Sequence, residues 1–234
     1  MATLAEVEAF ASSIDDLTAV AFADLVRAWS AEADLQGRAA VLRATVPDII
    51  DGYFPVASSL GADFYESLRA QAGAGGSFTA RLAPLPSEGL ASGLVGWAIA
   101  GEVVAGTGLS RAAGGLQRAL AGGARRTIEQ NASRDTSRVR FARYASANAC
   151  AFCAMLATRG PVYRSEESAG GKYHDFCRCL PVPVWGGAAN YEEPAYVEEW
   201  RATYEQAAKN VEAAGGKRLG KAVLQQMRRV GGLR

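Results

Sequence analysis

The side chains able to bind a soft or borderline metal are gathered in one short stretch of this chain. It has four cysteines and one histidine, and all five lie between positions 150 and 179: Cys150-Ala-Phe-Cys153, then His174-Asp-Phe-Cys177-Arg-Cys179. The spacing C-x2-C-x20-H-x2-C-x-C supplies a close pair and a close trio, and such donors suit one tetrahedral Zn2+, which takes thiolate sulfur and imidazole nitrogen. One ion takes four of the five. Cys150 and Cys153 form a knuckle whose two thiolates reach the same ion. Cys177 and Cys179 share a face if their stretch is extended, because side chains alternate along a strand. His174 then completes the tetrahedron in place of one of them or stands behind the ligands, where a ring N–H orients a donor. All five are candidate ligands.

Other uses of these residues are weaker. Disulfide frameworks belong to short secreted scaffolds, whereas this chain has 234 residues and opens MATLAEVEAF, with no basic segment leading into an apolar one. Isolated cysteines are often small buried apolar residues, which leaves the company of His174 unexplained. A thiolate-rich set of four or more donors describes a closed structural site, since a catalytic zinc keeps one position open for water. Arg159, Gly160 and Pro161, then Val162 and Tyr163, then Ser168, Ala169, Gly170 and Gly171 separate the two halves, a pattern of a helix end followed by a hairpin or loop. Such a stretch buries little apolar surface, and metal binding supplies the missing folding free energy. No catalytic residue is assigned. A serine triad or Cys–His dyad needs a histidine base, and the only one, His174, stands among the ligand candidates. Cys177, three residues on, is the nucleophile that spacing would pair with it. No serine occupies a G-x-S-x-G elbow and no Ser/Lys pairing stands out.

The elements around this cluster read as mainly α with a small zinc-stapled α+β module. Leu4, Val7, Phe10, Ile14 and Leu17, then Phe22, Leu25, Val26 and Trp29, recur at helical spacing. Ser13 with Asp16 three residues on resembles a capping box, so one helix is expected to end near Ala11 and another to begin. Pro47 suits the first turn of a further helix through Ile50 and Tyr53. Residues 72 to 76 (AGAGG) and Pro84 with Pro86 break the pattern. After Ser87 the glycine-interrupted spacing predicts two helices. Val139 to Tyr144 alternates as a strand does, and Leu180-Pro-Val-Pro-Val-Trp185 fits an edge strand. Helical spacing returns from Glu192 to about Val230, broken at Gly215 and Gly216. The expected organisation is a helical domain at 1–136, a zinc-binding module at 137–187, and a C-terminal helical segment with a basic tail at 188–234. There is no internal repeat.

Net charge is +1, yet its signs are segregated. Residues 1–54 carry nine acidic and three basic side chains, whereas residues 109–148 carry eight arginines against Glu129 and Asp135. Lys217, Arg218, Lys221, Arg228, Arg229 and Arg234 have no acidic neighbour after Glu212. Both basic stretches are candidate contacts for DNA or an acidic protein surface, or solvated helix faces. Phe141, Tyr144 and Phe152 add aromatic surface beside the first. The apolar run from Gly89 to Gly101 is too short and glycine-rich for a confident membrane span and is expected to be a buried helix at a close helix contact.

Residues 150–185 resemble the C-terminal signature of the phage MuF-like minor head (head morphogenesis) protein family. The resemblance rests on Cys150-Ala-Phe-Cys153, Arg159-Gly-Pro-Val-Tyr163, His174-Asp-Phe-Cys177-Arg-Cys179 and Pro181-Val-Pro-Val-Trp185. The family usually has proline after the histidine, where this chain has Asp175, a change that acts on the turn more than on the metal set. The helical N-terminal part is similar to the version in phages of actinobacteria, often labelled capsid maturation protease. The resemblance implies a minor capsid protein active in head morphogenesis, with portal and major capsid or scaffold proteins as partners. It places the protein in the virion, at the head interior or portal vertex, and in host cytoplasm during assembly. It keeps a protease, and a DNA-binding head or ejection protein, as alternatives.

Overall fold

The computed structural model describes residues 1–165, 173–218 and 220–233. Helix α1 (Leu4–Ser30) starts at a capping box in which Thr3 Oγ1 accepts from Glu6 N and Glu6 accepts from Thr3 N at 3.0 Å. The break expected near Ala11 does not occur. Ser13 Oγ donates to the carbonyl of Ala9 at 3.1 Å, so the hydroxyl returns to its own helix, and Val7, Phe10, Ile14 and Leu25 form one buried stripe. Helix α2 (Leu35–Gln71) is capped by Asp34, whose carboxylate accepts from Gly37 N at 2.9 Å. Pro47 lies inside α2, as does Pro55, rather than starting a new helix. An interior proline costs about 3 kcal/mol, and burial of Leu42, Val46, Ile49, Ile50 and Phe54 along the helix offsets it.

After the loop at 72–87 come α3 (Glu88–Ala105) and α4 (Gly108–Arg134), the two helices that the spacing predicts. The apolar run at 89–101 is only half buried. Ala91, Leu94, Val95, Ala98 and Gly101 face the bundle, while Trp97, Val103 and Val104 are exposed at 41%, 67% and 80%. By length and composition α3 could cross a membrane, the single such helix among the described residues, and its inner face packs on α2 and α4.

Strands β1 (Arg140–Tyr144) and β2 (Leu180–Val184) pair antiparallel, with Arg140 opposite Val184 and Tyr144 opposite Leu180. Both appear where alternation and the prolines place them. Tyr163 bonds to the backbone of Phe141 in both directions, at 2.9 and 3.1 Å. Helix α5 (Ala151–Ala157) lies between the strands and ends before Arg159, Gly160 and Pro161. The expected turn at Ser168, Ala169, Gly170 and Gly171 lies outside the described residues. Helices α6 (Tyr196–Ala213) and α7 (Lys221–Gly231) flank the glycine break. α7 buries Val223 and Met227 and exposes Lys221, Arg228 and Arg229.

Two apolar cores result. One lies among α1 to α4 around Leu25, Leu42, Phe54 and Leu120. The other joins the same bundle, through Phe10, Tyr65 and Ile128, to Phe141, Leu180, Trp200 and Val211. A buried polar knot ties the parts. Asp135 accepts from Tyr65 Oη and Arg69 Nε, both at 2.9 Å, and from Ser137 N and Oγ at 2.9 and 2.6 Å. Trp185 Nε1 then donates to Ser137 Oγ at 2.7 Å. Burial acts to raise the Asp135 carboxyl, but these donors outweigh it and hold the group below its ordinary value.

α2 and α4 touch backbone to backbone. A Cβ on Gly61 would lie 2.7 Å from the carbonyl oxygen of Ala124, and one on Gly123 would lie 2.8 Å from that of Phe54. Gly52, on the exposed side of α2, has nothing within 4 Å of its Cβ position. Glycine in a helix interior is normally worse than alanine by about 1 kcal/mol. Gly52→Ala is therefore expected to raise the unfolding free energy by up to about 1 kcal/mol, while Gly61→Ala lowers it by about 1–3 kcal/mol through overpacking, as chemical denaturation of the two variants will read.

Candidate metal centre

The five candidate donors come from the start of α5 and from a segment that α4 holds in place. Cys150 precedes α5 and Cys153 lies in its first turn. His174, Cys177 and Cys179 lie on the segment leading into β2. That segment rests on α4 at Gly114, where a Cβ would lie 2.8 Å from both Asp175 Cβ and the Phe176 ring. One helical turn on, Gln117 Nε2 donates to the Cys177 carbonyl at 2.9 Å. Arg118 lies 3.4 Å from Asp175. Two turns further, Arg125 donates from Nε to the Cys179 carbonyl at 2.9 Å and from Nη2 to the Cys177 carbonyl. Phe176 has a positive φ of 59°, a conformation uncommon for a bulky residue, held by these contacts.

All five donors converge. Cys150, Cys153 and His174 form one triad, and Cys153, Cys177 and Cys179 another, each with its donor atoms within 4.8 Å of one another. Cys153 belongs to both. The four cysteines are free thiols. Cys153 Sγ and Cys177 Sγ are 3.7 Å apart, far beyond the ~2.05 Å of a disulfide and close to the ~3.8 Å edge of a tetrahedron with ~2.3 Å metal–sulfur bonds. His174 Nε2 is 3.0 Å from Cys150 Sγ, and its Nδ1 is 2.9 Å from the carbonyl oxygen of Asp175. A carbonyl only accepts, so Nδ1 carries a proton and Nε2 faces the cluster, donating to the Cys150 thiolate when the ring is charged and offering its lone pair, as a metal ligand does, when it is neutral. Among the described residues these two triads could hold a metal ion.

The pairing of His174 with Cys177 suggested by spacing is not formed. The ring reaches Cys150, at the half-buried rim, while Cys177 is buried beneath. A cavity of about 580 Å3 opens over the cluster, bounded also by Asp15 and Thr18 of α1, Gln117 of α4, Ser146 and Asn148. Asp15 lies 3.5 Å from Arg178. Burial raises its carboxyl above the ordinary value although Arg178 opposes the shift.

The thiols cannot all ionise side by side, and their hydrogen bonds sort them. The Cys153 side chain, then its backbone N–H, then His174 bring Cys150 down to about 5 against burial. Cys177 is also held low, by Cys153 and Cys179 first and by Arg125 after burial is overcome. Cys153 is driven up as the shared donor to Cys150, Cys177 and Cys179. The Cys153 contact acts to lower Cys179, but Cys177 and burial push it to about 12. The charged form is thus favoured at Cys150 and Cys177 and the neutral form at Cys153 and Cys179, and a bound divalent cation would displace the remaining protons.

Sequence spacing did not mark Gly114, Gln117, Arg125, Arg143 or Tyr173 as part of the site. A signal existed for three of them: Gly114, Gln117 and Arg125 fall at three- and four-residue multiples along one face of α4.

Fold and site together define a mostly helical protein with a potential metal centre where a small sheet meets the bundle. Residues 1–207 match the family model described as VG15 protein. The chain belongs to that family, a viral gene family, and is a phage protein. No curated protein and no solved structure matches it.

With metal removed by a chelator, Cys150 is expected to be alkylated first. Its rate should level off near pH 5 to 6, where a thiol at its ordinary value would keep rising to about 8.5. Mass mapping of iodoacetamide adducts against pH measures this.

Proposed function

We propose that this chain is a minor capsid protein of the MuF-like type, active in head morphogenesis, in which a structural Zn2+ braces the cysteine–histidine loops against the helical bundle. The observation that carries the reading is the convergence of Cys150, Cys153, His174, Cys177 and Cys179 into two triads sharing Cys153, in a chain whose family match spans the bundle as well as the cluster. Thiolate and imidazole donors select Zn2+ over the oxygen-seeking Mg2+ and Ca2+. Four donors enclose the ion and the fifth is a spare.

The partners that fit are portal and major capsid or scaffold proteins, at the head interior or portal vertex. The exposed Trp97, Val103 and Val104 of α3 support contact with protein. DNA contact through 109–148 has less support, because Arg125 and Arg143 are buried and Arg111, Arg126 and Arg134 lie over the rings of Trp97, Phe54 and Phe78. The exposed Lys217, Lys221, Arg228 and Arg229 of the C-terminal segment keep DNA as a further partner.

One observation favours a second reading, a cysteine protease for capsid or scaffold protein. A thiol held low, a histidine nitrogen 3.0 Å away and a carbonyl orienting that ring are the parts of a nucleophile–base pair, and the cavity of about 580 Å3 gives access to it. The three further cysteines have no part in such chemistry, which places it second.

Elemental analysis of the purified chain is expected to give about one zinc per molecule, with a melt that falls when a strong chelator is added. Cys153→Ser, which removes the donor common to both triads, should lose the metal. His174→Ala and Cys179→Ser should keep it with affinity reduced on the order of 10–100-fold. A metal-free protein that cleaves capsid or scaffold protein, with cleavage lost in Cys150→Ser, would establish the protease instead.

A further inference from the structure

Beside the cysteine cluster the fold buries two cations, and among the described residues neither has a carboxylate in ion-pair range. Arg143 of β1 is 1% exposed, and none of its three side-chain nitrogens has a hydrogen-bond partner among the described residues. Arg125 of α4 is also 1% exposed; two of its nitrogens hold the carbonyls of Cys177 and Cys179, and Nη1 has no partner among the described residues. Both guanidiniums sit over the ring of Tyr173, at 3.8 Å for Arg143 and 4.1 Å for Arg125. The Tyr173 hydroxyl donates to Glu129 at 2.8 Å. Tyr173 directly precedes His174, and Arg143 stands opposite Pro181 in the strand pair, two residues past Cys179.

An unpaired charge taken out of water is one of the most costly things a fold can contain. Cation–π contact with one tyrosine recovers only about 2 kcal/mol when desolvated. The remaining compensation must come from negative charge nearby. After Tyr173, the groups that favour the charged form of Arg143 against burial are Cys179, Cys153 and Cys177. A dication bound by three thiolates and one imidazole carries a net charge of −1, and one bound by four thiolates carries −2. Either supplies the missing counter-charge, whereas two thiolates and an imidazole leave the centre neutral.

We infer that Arg143, backed by Arg125, is the charge partner of the cysteine cluster, positioning and neutralising an anionic metal–thiolate centre in which at least three of the four cysteines bind as thiolates. This rests on the metal reading above. It makes Arg143 a positioning residue for the ion, and it sets the selectivity of the centre: a thiolate-binding dication is accepted, and a cation held by neutral donors would repel the guanidiniums.

The test uses the full chain with Zn2+ and a competing chromophoric chelator. Arg143→Met is expected to weaken zinc binding on the order of 10–100-fold, and Arg143→Lys, which keeps the charge, to recover most of that loss. If Arg143→Met does not fold, Arg143→Gln, neutral and close in size, takes its place. A brace that acted only through packing on the Tyr173 ring would lower the melt of the neutral variant and leave its zinc affinity unchanged. Equal zinc affinity in wild type and the neutral variant overturns the inference while leaving the metal reading intact, and so does Arg143→Lys binding zinc no more tightly than the neutral variant. A wild type that takes up no zinc overturns the metal reading and this inference with it.

Discussion

The close approach of α2 and α4 is the constraint on which the rest of the molecule depends. At Gly61 and Gly123 the two backbones meet at distances that admit no side chain, so α4 lies deep in the bundle along its whole length. That depth makes α4 a fixed wall. Its other residues then do different work at successive turns: Gly114 admits the loop at 175–176, Gln117 and Arg125 hold the carbonyls of Cys177 and Cys179, and Ile128 joins the core shared with the sheet. A loop held at its backbone by a rigid helix keeps its side chains in place for a ligand without needing a core of its own.

The cysteine cluster, which could hold a metal ion, is arranged electrostatically as well as geometrically. Its thiols alternate between proton donor and acceptor, with Cys153 and Cys179 keeping their protons while Cys150 and Cys177 are held low. His174 is turned by the Asp175 carbonyl so that Nε2 faces inward. Positive charge from Arg125 and Arg143 is built into the surrounding shell.

The same features explain why one arrangement can resemble two chemistries. A lowered cysteine facing a histidine is what a protease needs, and it is also what half of a zinc site looks like in its protonated form. The distinction lies in the other donors. Cys153 bridges the Cys150–His174 pair to the Cys177–Cys179 pair, so the dyad is physically continuous with a buried thiol cluster that a nucleophile–base pair does not need. The junction at Asp135 has a related logic: Tyr65, Arg69 and Ser137 satisfy one carboxylate, and Trp185 ties it to the end of β2.

The sequence by itself determined the helical class, the break at 72–87, the two helices after Ser87, both strands and the five candidate donors, because apolar period, glycine and proline breaks, and cysteine spacing are local properties. It misplaced the ends of α1 and α2. Ser13 and Pro47 carry the local chemistry of helix starts, yet tertiary packing of continuous apolar stripes overrides a preference worth only a few kcal/mol. Burial of α3 was only half right, since its period does not tell which stripe meets a neighbour. Only the tertiary structure decided that His174 faces Cys150 and not Cys177, that Cys153 is common to both triads, and that Arg125 and Arg143, which read as members of a basic surface, lie inside. Those facts depend on chain segments brought together from α4, β1 and two loops, and the distance between segments in space is a quantity that no local pattern encodes.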